Sequence, residues 1–141
     1  GPYRKTSNAV GVFIARALAN EDLLIHGTGG QLRSWCYVDD FCEGMVACLE
    51  NEAAVGEDFN LGNALTTCTI HDVATRIVRL TGSQSKIRLI EHPFSDINVR
   101  TPSGDKAARL LDYRARYDID EGLERTIAWH RDHKEDFRNW L

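Results

Sequence analysis

The chain has 141 residues, 43% of them hydrophobic and 27% charged, which is the composition of one folded globular domain spanning residues 1–141. Its 21 acidic residues outnumber the 17 basic ones, giving a formal net charge of -4 and no excess of Lys and Arg to bind nucleic acid. No run of about 18 apolar residues occurs, so no membrane-spanning helix is predicted.

Helical and strand patterns alternate from the beginning of the chain. An apolar periodicity that starts after Ser7 or Asn8, either of which can cap a helix, predicts a first helix. Its inner face would consist of Val10, Phe13, Ile14, Ala17 and Leu18. The run Leu23–His26 predicts a strand that the loop Gly27–Gly30 closes, and Arg33–Val38 predicts a second strand.

A helix is predicted next, with Asp39 or Asp40 as its cap, because a carboxylate can accept hydrogen bonds from the amides of the first turn. Two adjacent carboxylates can also form a catalytic pair, but capping explains them more simply. The periodicity places on the inner face Phe41, Met45, Cys48 and Leu49. Asp58–Gly62 and Thr66–Thr69 each predict a short strand.

The second half of the chain continues the alternation. Thr69 is expected to cap a helix that ends at Gly82, and Lys86–Ile90 alternates as a strand does. The inner face of this helix would be Ile70, Val73, Ala74, Ile77 and Val78.

The end of the chain is predicted to be helical. Ser103 is expected to cap a short helix through Leu111, and Asp118 or Asp120 to open the last helix. The inner face of the last helix would be Leu123, Ile127 and His130. Residues 134–141 can fray. The whole pattern predicts the α/β class, with short strands and packed helices.

The cysteine pattern indicates a reducing compartment. None of the four cysteines belongs to a C-x-x-C pair, so all are predicted to be buried free thiols. They are Cys36, Cys42, Cys48 and Cys68. Free thiols persist in the cytoplasm, which is therefore the expected location.

Three features were candidates for chemistry on residue pattern alone. The loop Gly27–Gly30 is followed by a strand rather than a helix, so a simple turn explains it better than a phosphate cradle. Arg33 opens an apolar strand, where its guanidinium needs either a phosphate or the carboxylate of a salt bridge. His130, His133 and Asp136 could ligate a metal, but their spacing is more typical of a solvated helix face. No catalytic set and no metal site is predicted.

Seven short motifs follow one another along the chain. They are Gly1-Pro2-Tyr3-Arg4, Asn8–Leu18, Leu24–Arg33, Trp35–Asp40, Phe59-Asn60-Leu61-Gly62, Asp105-Lys106-Ala107 and Glu121–Trp129. Together they resemble the C-terminal, substrate-binding part of the extended short-chain dehydrogenase/reductases, which are NAD(P)-dependent nucleotide-sugar epimerases and dehydratases. The resemblance implies the fold of that C-terminal lobe.

The resemblance also implies which residues bind substrate. The positions that would hold the nucleotide base are Ala9, Val10, Leu24 and His26. Arg33 takes the place of the diphosphate-binding arginine, and Asn60 would lie near the same site. The family's second phosphate-binding arginine is missing from its R-P-G-D motif; His92 is its nearest replacement, and Arg100 can supply the charge.

The family's glycine-rich NAD fingerprint and its Y-x-x-x-K catalytic pair do not occur in these 141 residues. The resemblance therefore implies a remnant or an excised domain of a longer parent enzyme. NAD or NADP would bind to the missing Rossmann half, and this part alone would bind the nucleoside-diphosphate sugar without cofactor or turnover.

Two other interpretations stay open: a non-catalytic homologue that acts as a binding or interaction subunit, and a free-standing small binding module. Without a Rossmann half, an exposed apolar docking face is expected to cause self-association or disorder near residues 1–20 and 92–104.

Overall fold

A computed structural model describes residues 8–91 and 97–133 of the chain. The chain divides into two compact units, and each contains helices and a pair of parallel strands. Of the described residues, unit 1 comprises 8–31, 69–91, 97 and 123–133, and unit 2 comprises 32–68 and 98–122. The alternation of helices and short strands confirms the predicted α/β class.

Unit 1 is built on two parallel strands, β1 (Leu23–His26) and β4 (Ile87–Ile90). The helices α1 (Ala9–Leu18) and α3 (Ile70–Thr81) pack on each other and on β1, and α5 (Ile119–Asp132) belongs to this unit from residue 123 onward. Its larger buried side chains include Phe13, Ile14, Leu23, Ile25, Val73, Ile77, Leu123 and Ile127. Those on the helices lie on the faces that the periodicity predicts to point inward, and Leu23 and Ile25 are the buried residues of β1.

The helix ends of unit 1 follow the sequence signals. The side chains of Asn8 and Thr69 each accept a hydrogen bond from an amide in the first turn of α1 and α3. Asp118 does the same for α5, with an N···O distance of 2.8 Å. Gly82 ends α3 with a φ of +70°, a conformation that costs glycine little.

Unit 2 contains the parallel strands β2 (Leu32–Arg33) and β5 (Val99–Arg100) and the helices α2 (Val38–Glu50) and α4 (Asp105–Leu111). In the sheet, the short strand β3 (Cys68–Thr69) lies on the other side of β2, giving the order β3-β2-β5. A small apolar core forms around the end of α4, from Ala107, Leu111 and Tyr113, with Ala47, Cys48, Phe59 and Leu61 packed against it.

Three predicted elements of unit 2 differ from the structure. The residues 58–62 form no strand, and the predicted strand 66–69 is shortened to β3 because Ala64–Thr66 forms a 3₁₀ turn. The start of α4 also differs: Gly104, which has no side chain, is its N-cap, and the predicted cap Ser103 lies one residue earlier, where its hydroxyl accepts from the Asp105 amide at 3.4 Å.

The helix α2 turns inward a different face from the predicted one. Asp40 and Gly44 are the buried residues, because Tyr113 and Leu61 approach this side closely. The outward side carries a row of exposed apolar or weakly polar side chains, which we call the outward apolar face: Val38, Phe41, Cys42, Met45, Val46 and Leu49. Apolar periodicity does locate an apolar stripe here, but the stripe faces away from the core of unit 2.

The cysteines are free, but the prediction that they are buried is wrong. Cys42 is exposed on α2, and Cys36, Cys48 and Cys68 are half-buried. Each helix within the described ranges is too short or too polar to cross a membrane. The predictions for residues 1–7, 92–96 and 134–141 lie outside the described residues.

Candidate functional site

Two arginines lie on one rung of the sheet in unit 2. The strands β2 and β5 run parallel with Leu32 opposite Val99 and Arg33 opposite Arg100. Since directly opposed residues of neighbouring strands project from the same face of a sheet, both guanidinium groups start from one face. Arg33 is half-buried and Arg100 is exposed. The structure therefore brings together two cations that are far apart in the sequence.

The backbone that follows Arg33 is held by side chains rather than by a strand partner. The buried hydroxyl of Thr66 accepts from the Trp35 amide at 3.0 Å and lies 2.5 Å from the Trp35 carbonyl oxygen, to which it can donate. The hydroxyls of Ser34 and Thr67 are 2.7 Å apart. These contacts replace strand pairing, so the predicted strand 33–38 ends at Arg33.

Asp40 anchors a loop and does not cap α2. Its carboxylate is fully buried and accepts hydrogen bonds from the backbone amides of Arg116 and Tyr117, at 3.0 and 3.1 Å. The Tyr113 hydroxyl donates to the Asp40 carbonyl oxygen at 2.7 Å. The capping prediction is wrong because α2 begins at Val38, and no side chain caps it. The carboxylate instead fixes the loop that precedes α5.

Burial controls the ionisation of two groups beside Asp40. Burial, followed by the nearby Cys36 and Asp40 charges, raises the pKa of Tyr113 far above its usual value. Burial and the charge of Asp40 likewise raise the pKa of the Cys36 thiol. Both groups are therefore neutral at physiological pH, and Cys36 has none of the thiolate character of a nucleophile.

The loop that carries Asn60 approaches the segment that follows β5. Gly62 is so close to Pro102 that an added Cβ would lie 2.7 Å from the Pro102 Cγ. Asn60 is exposed on this loop, and Pro102 lies two residues after Arg100. The structure thus brings the neighbourhoods of Asn60 and Arg100 close together, within unit 2.

In unit 1, two of the candidate base-binding residues share one strand face. Leu24 and His26 are the exposed residues of β1, and the residues that alternate with them are buried. Ala9 and Val10 are half-buried in the first turn of α1. His92, the remaining candidate, lies outside the described residues.

The glycine-rich loop supports α3 and is not a phosphate cradle. The carbonyl oxygens of Gly29 and Gln31 accept from the first amides of α3, at 3.0 Å from His71 and 3.1 Å from Ile70. The first amides of α3, which would otherwise be available to an anion, are thus occupied by carbonyl oxygens of the loop. The Gln31 side chain donates to the His26 carbonyl oxygen at 3.2 Å. The simpler interpretation, a turn, therefore agrees with the geometry.

Sequence reasoning gave no role to Thr66 or Gln31, which hold the backbone beside Arg33 and His26. Thr66 lies at the start of a predicted strand and Gln31 within one of the motifs, but the hydrogen bonds that each makes follow only from the folded geometry. Among the described residues, no group of three side chains is placed to hold a metal ion. His130 is buried and its Nδ1 lies 2.8 Å from the Thr126 carbonyl oxygen, as expected for a helix residue facing inward.

The chain was compared with known proteins. Residues 1–62 match the NAD dependent epimerase/dehydratase family. The chain is 34% identical to a UDP-N-acetyl-alpha-D-glucosaminuronate decarboxylase from Bacillus cytotoxicus, over 96% of this chain and 44% of the relative.

Two solved structures share its fold. An epimerase from Methanothermobacter thermautotrophicus is 32% identical with a TM-score of 0.88, over 94% of this chain and 39% of the other. A UDP-glucuronic acid 4-epimerase from Bacillus cereus, in complex with UDP-glucuronic acid and NAD, is 25% identical with a TM-score of 0.83, over 90% and 40% of the two chains. The chain thus spans less than half the length of these relatives.

Proposed function

Since this chain belongs to the NAD dependent epimerase/dehydratase family, of whose members it spans less than half, we propose that it is the nucleotide-sugar-binding part of such an enzyme. Its task would be to hold the nucleoside diphosphate while another part of the parent protein carries out redox chemistry. The substrate class is a nucleoside-diphosphate sugar, and the reaction is an epimerisation, dehydration or decarboxylation of the sugar.

The observation that carries this proposal is the pairing of Arg33 with Arg100. A guanidinium presents several N–H donors in a planar fork that matches a phosphate, and charge-assisted hydrogen bonds of this kind are the strong ones. Two such groups on one rung supply one cation for each phosphate of a diphosphate. The Arg33 guanidinium donates through Nη1 to the Leu32 carbonyl oxygen at 2.9 Å, so a bound phosphate would exchange with this contact. The family's second phosphate-binding arginine is missing from this chain, and Arg100 is proposed to supply its charge.

The remaining candidates are assigned from the resemblance, separately for each unit. In unit 1, Leu24 and the imidazole of His26 form the exposed face of β1, on which a nucleobase can stack. Ala9 and Val10, half-buried in the first turn of α1, are assigned to the nucleobase from the resemblance alone. Asn60, on the loop near Arg100, is assigned to the region of the diphosphate. His92 is retained as a substrate-binding candidate from the resemblance.

NAD or NADP is assigned to the Rossmann half of the parent protein. The glycine-rich loop of this chain is followed by a strand and not by the helix of a dinucleotide fingerprint, which supports this assignment. What this part contributes is binding energy from the nucleotide, which orients the sugar for chemistry elsewhere. The four free thiols support a cytoplasmic location.

Calorimetry with UDP-glucuronate tests the proposal. Arg33→Ala and Arg100→Ala should each weaken binding by about 1.5–3 kcal/mol, because each removes hydrogen bonds to a charged group. Arg114→Ala is the matched control, since it removes an exposed cation of unit 2 that lies outside the site. The proposal would be contradicted if the Arg33→Ala protein bound UDP-glucuronate as tightly as the Arg114→Ala control.

A further inference from the structure

Two consecutive threonines, Thr66 and Thr67, hold the chain just beyond Arg33, and we call them the threonine bracket. The hydroxyl of Thr66 accepts from the Trp35 amide at 3.0 Å and lies 2.5 Å from the Trp35 carbonyl oxygen. The hydroxyl of Thr67 lies 2.7 Å from the hydroxyl of Ser34. The bracket therefore holds both residues that follow the arginine.

The bracket is itself fixed by other parts of unit 2. Thr66 is buried, and its hydroxyl also lies 2.8 Å from the Asn63 carbonyl oxygen. The buried side chain of Asn63 accepts from the Leu65 amide at 3.0 Å and donates to the Tyr117 carbonyl oxygen at 2.9 Å. The Tyr117 amide in turn donates to the buried carboxylate of Asp40. The bracket thus belongs to a hydrogen-bonded framework that does not depend on β2.

Strand pairing alone does not fix the backbone on both sides of Arg33. The strand β2 consists of Leu32 and Arg33, so its pairing with β5 ends at the arginine. The donors of a guanidinium lie in one plane, and they match a phosphate only in a defined orientation. A binding group keeps such an orientation only when the residues around it are held in turn.

We infer that Thr66 is a positioning residue for Arg33, because its hydroxyl fixes the backbone from which the guanidinium reaches the diphosphate. The inference rests on the proposed function. Without the hydroxyl, the Trp35 amide and carbonyl oxygen lose this partner, and the backbone would shift to replace it. Thr66 should therefore affect binding only through Arg33.

A double-mutant cycle on the 141-residue protein tests the inference, with UDP-glucuronate binding measured by calorimetry. Thr66→Val replaces the hydroxyl by a methyl group and should weaken binding about fivefold to tenfold, as expected for the loss of one hydrogen bond. Thr66→Ser keeps the hydroxyl and should restore the binding. In the Arg33→Ala protein, adding Thr66→Val should change the affinity by less than about twofold, because both changes remove the same interaction.

Thr81→Val is the matched control. The half-buried Thr81 hydroxyl donates to the Ile77 carbonyl oxygen at 2.7 Å within α3, in unit 1. This variant also removes a threonine hydroxyl from a backbone carbonyl oxygen, and it should leave the binding of UDP-glucuronate unchanged. Thermal unfolding of each variant shows that folded proteins are compared.

Amide hydrogen exchange followed by NMR gives a second test, which still decides if Thr66→Val does not fold. Because coupling between two sites is reciprocal, UDP-glucuronate bound by Arg33 should strengthen the contacts of the bracket. Exchange of the Trp35 amide should therefore slow more than exchange of the Ala54 amide, which donates to the Asn51 carbonyl oxygen in the same unit. Equal slowing of the two amides would overturn the inference.

The cycle separates this inference from the proposed function. If Arg33→Ala binds UDP-glucuronate as tightly as the unsubstituted protein, the proposed function is overturned. If Arg33→Ala weakens binding and Thr66→Val does not, the positioning role alone is overturned. An equal loss from Thr66→Val with and without the Arg33 side chain also overturns that role, since it indicates a general effect on the fold.

Discussion

Asp39 and Asp40 are chemically identical neighbours, yet the fold gives them different surroundings. Asp40 is fully buried and holds two backbone amides of the loop before α5, whereas Asp39 is exposed. A buried carboxylate is tolerated only when hydrogen bonds replace the water that it loses. The two amides from Arg116 and Tyr117 supply that replacement.

Asp40→Asn should therefore lower the free energy of unfolding by about 1.5–3 kcal/mol, because the amide side chain can accept at only one of its two terminal atoms. Asp39→Asn removes the same charge from the same helix turn. It should lower the free energy of unfolding by about 0.3–1 kcal/mol, because a carboxylate in the first turn interacts favourably with the positive end of the helix dipole. Urea unfolding of both variants measures the difference. Equal losses would show that Asp40 acts only through its charge.

Tyr113 should make the protein sensitive to alkaline pH. Its pKa is raised above the ordinary value of 10.0, so the folded state favours the neutral phenol. The stabilisation is fully present below pH 10 and is lost as the pH rises through the raised pKa. Tyr113→Phe should lose about 1 kcal/mol at neutral pH, for the hydrogen bond to the Asp40 carbonyl oxygen. Above pH 10, the unfolding free energy of the Tyr113→Phe protein should fall less steeply with pH than that of the unsubstituted protein. An equally steep fall in both proteins would show that other groups cause the alkaline sensitivity.

At the scale of elements, sequence patterns predict the parts that local signals determine. The caps Thr69 and Asp118 and the stop at Gly82 fix α3 and α5, and their inward faces agree with the periodicity. The strand expected over 33–38 ends at Arg33, because Thr66, which follows much later in the chain, holds the Trp35 backbone. Local patterns cannot reveal a partner supplied by a distant segment.

Two helical glycines give a matched test of packing at this scale. Gly44→Ala in α2 should destabilise by about 1–3 kcal/mol through overpacking, since its Cβ would lie 2.9 Å from the Tyr113 ring. Gly122→Ala in α5 should stabilise by about 0.5–1 kcal/mol, because alanine restricts the unfolded chain and its Cβ would lie 3.5 Å from Tyr37, an ordinary contact. Thermal unfolding measures both. Stabilisation by Gly44→Ala would contradict the packing of α2.

At the scale of the whole molecule, the family resemblance predicts Arg33 as the diphosphate-binding arginine. It suggests Arg100 only as a residue that can supply the charge of the missing second arginine. Residue patterns alone left Arg33 undecided between a phosphate and a salt bridge. The folded chain adds the register that sets the two arginines side by side, which depends on the pairing of β2 with β5. Such pairing is decided by the tertiary structure, so the sequence could suggest the two residues but not their arrangement.

The 141-residue protein by itself should bind UDP-glucuronate but not convert it. The glycine-rich fingerprint and the Y-x-x-x-K pair do not occur in these 141 residues, so on the proposed function we expect the groups that hold NAD and move the proton of the sugar hydroxyl in another part of the parent protein. Incubation with UDP-glucuronate and NAD, followed by chromatography of the sugar nucleotides, should return only the starting material. Product formed by rigorously purified protein would contradict this division of labour.

The rung that joins Arg33 and Arg100 also has a consequence for handling the protein. Like charges that face each other across neighbouring strands repel, and a bound anion relieves this repulsion. If Arg33 and Arg100 bind the diphosphate as proposed, inorganic phosphate in a buffer should raise the apparent melting temperature by mass action and compete with the nucleotide. Affinities measured in phosphate buffer would then be too weak, and a zwitterionic buffer is the right medium for ligand screening.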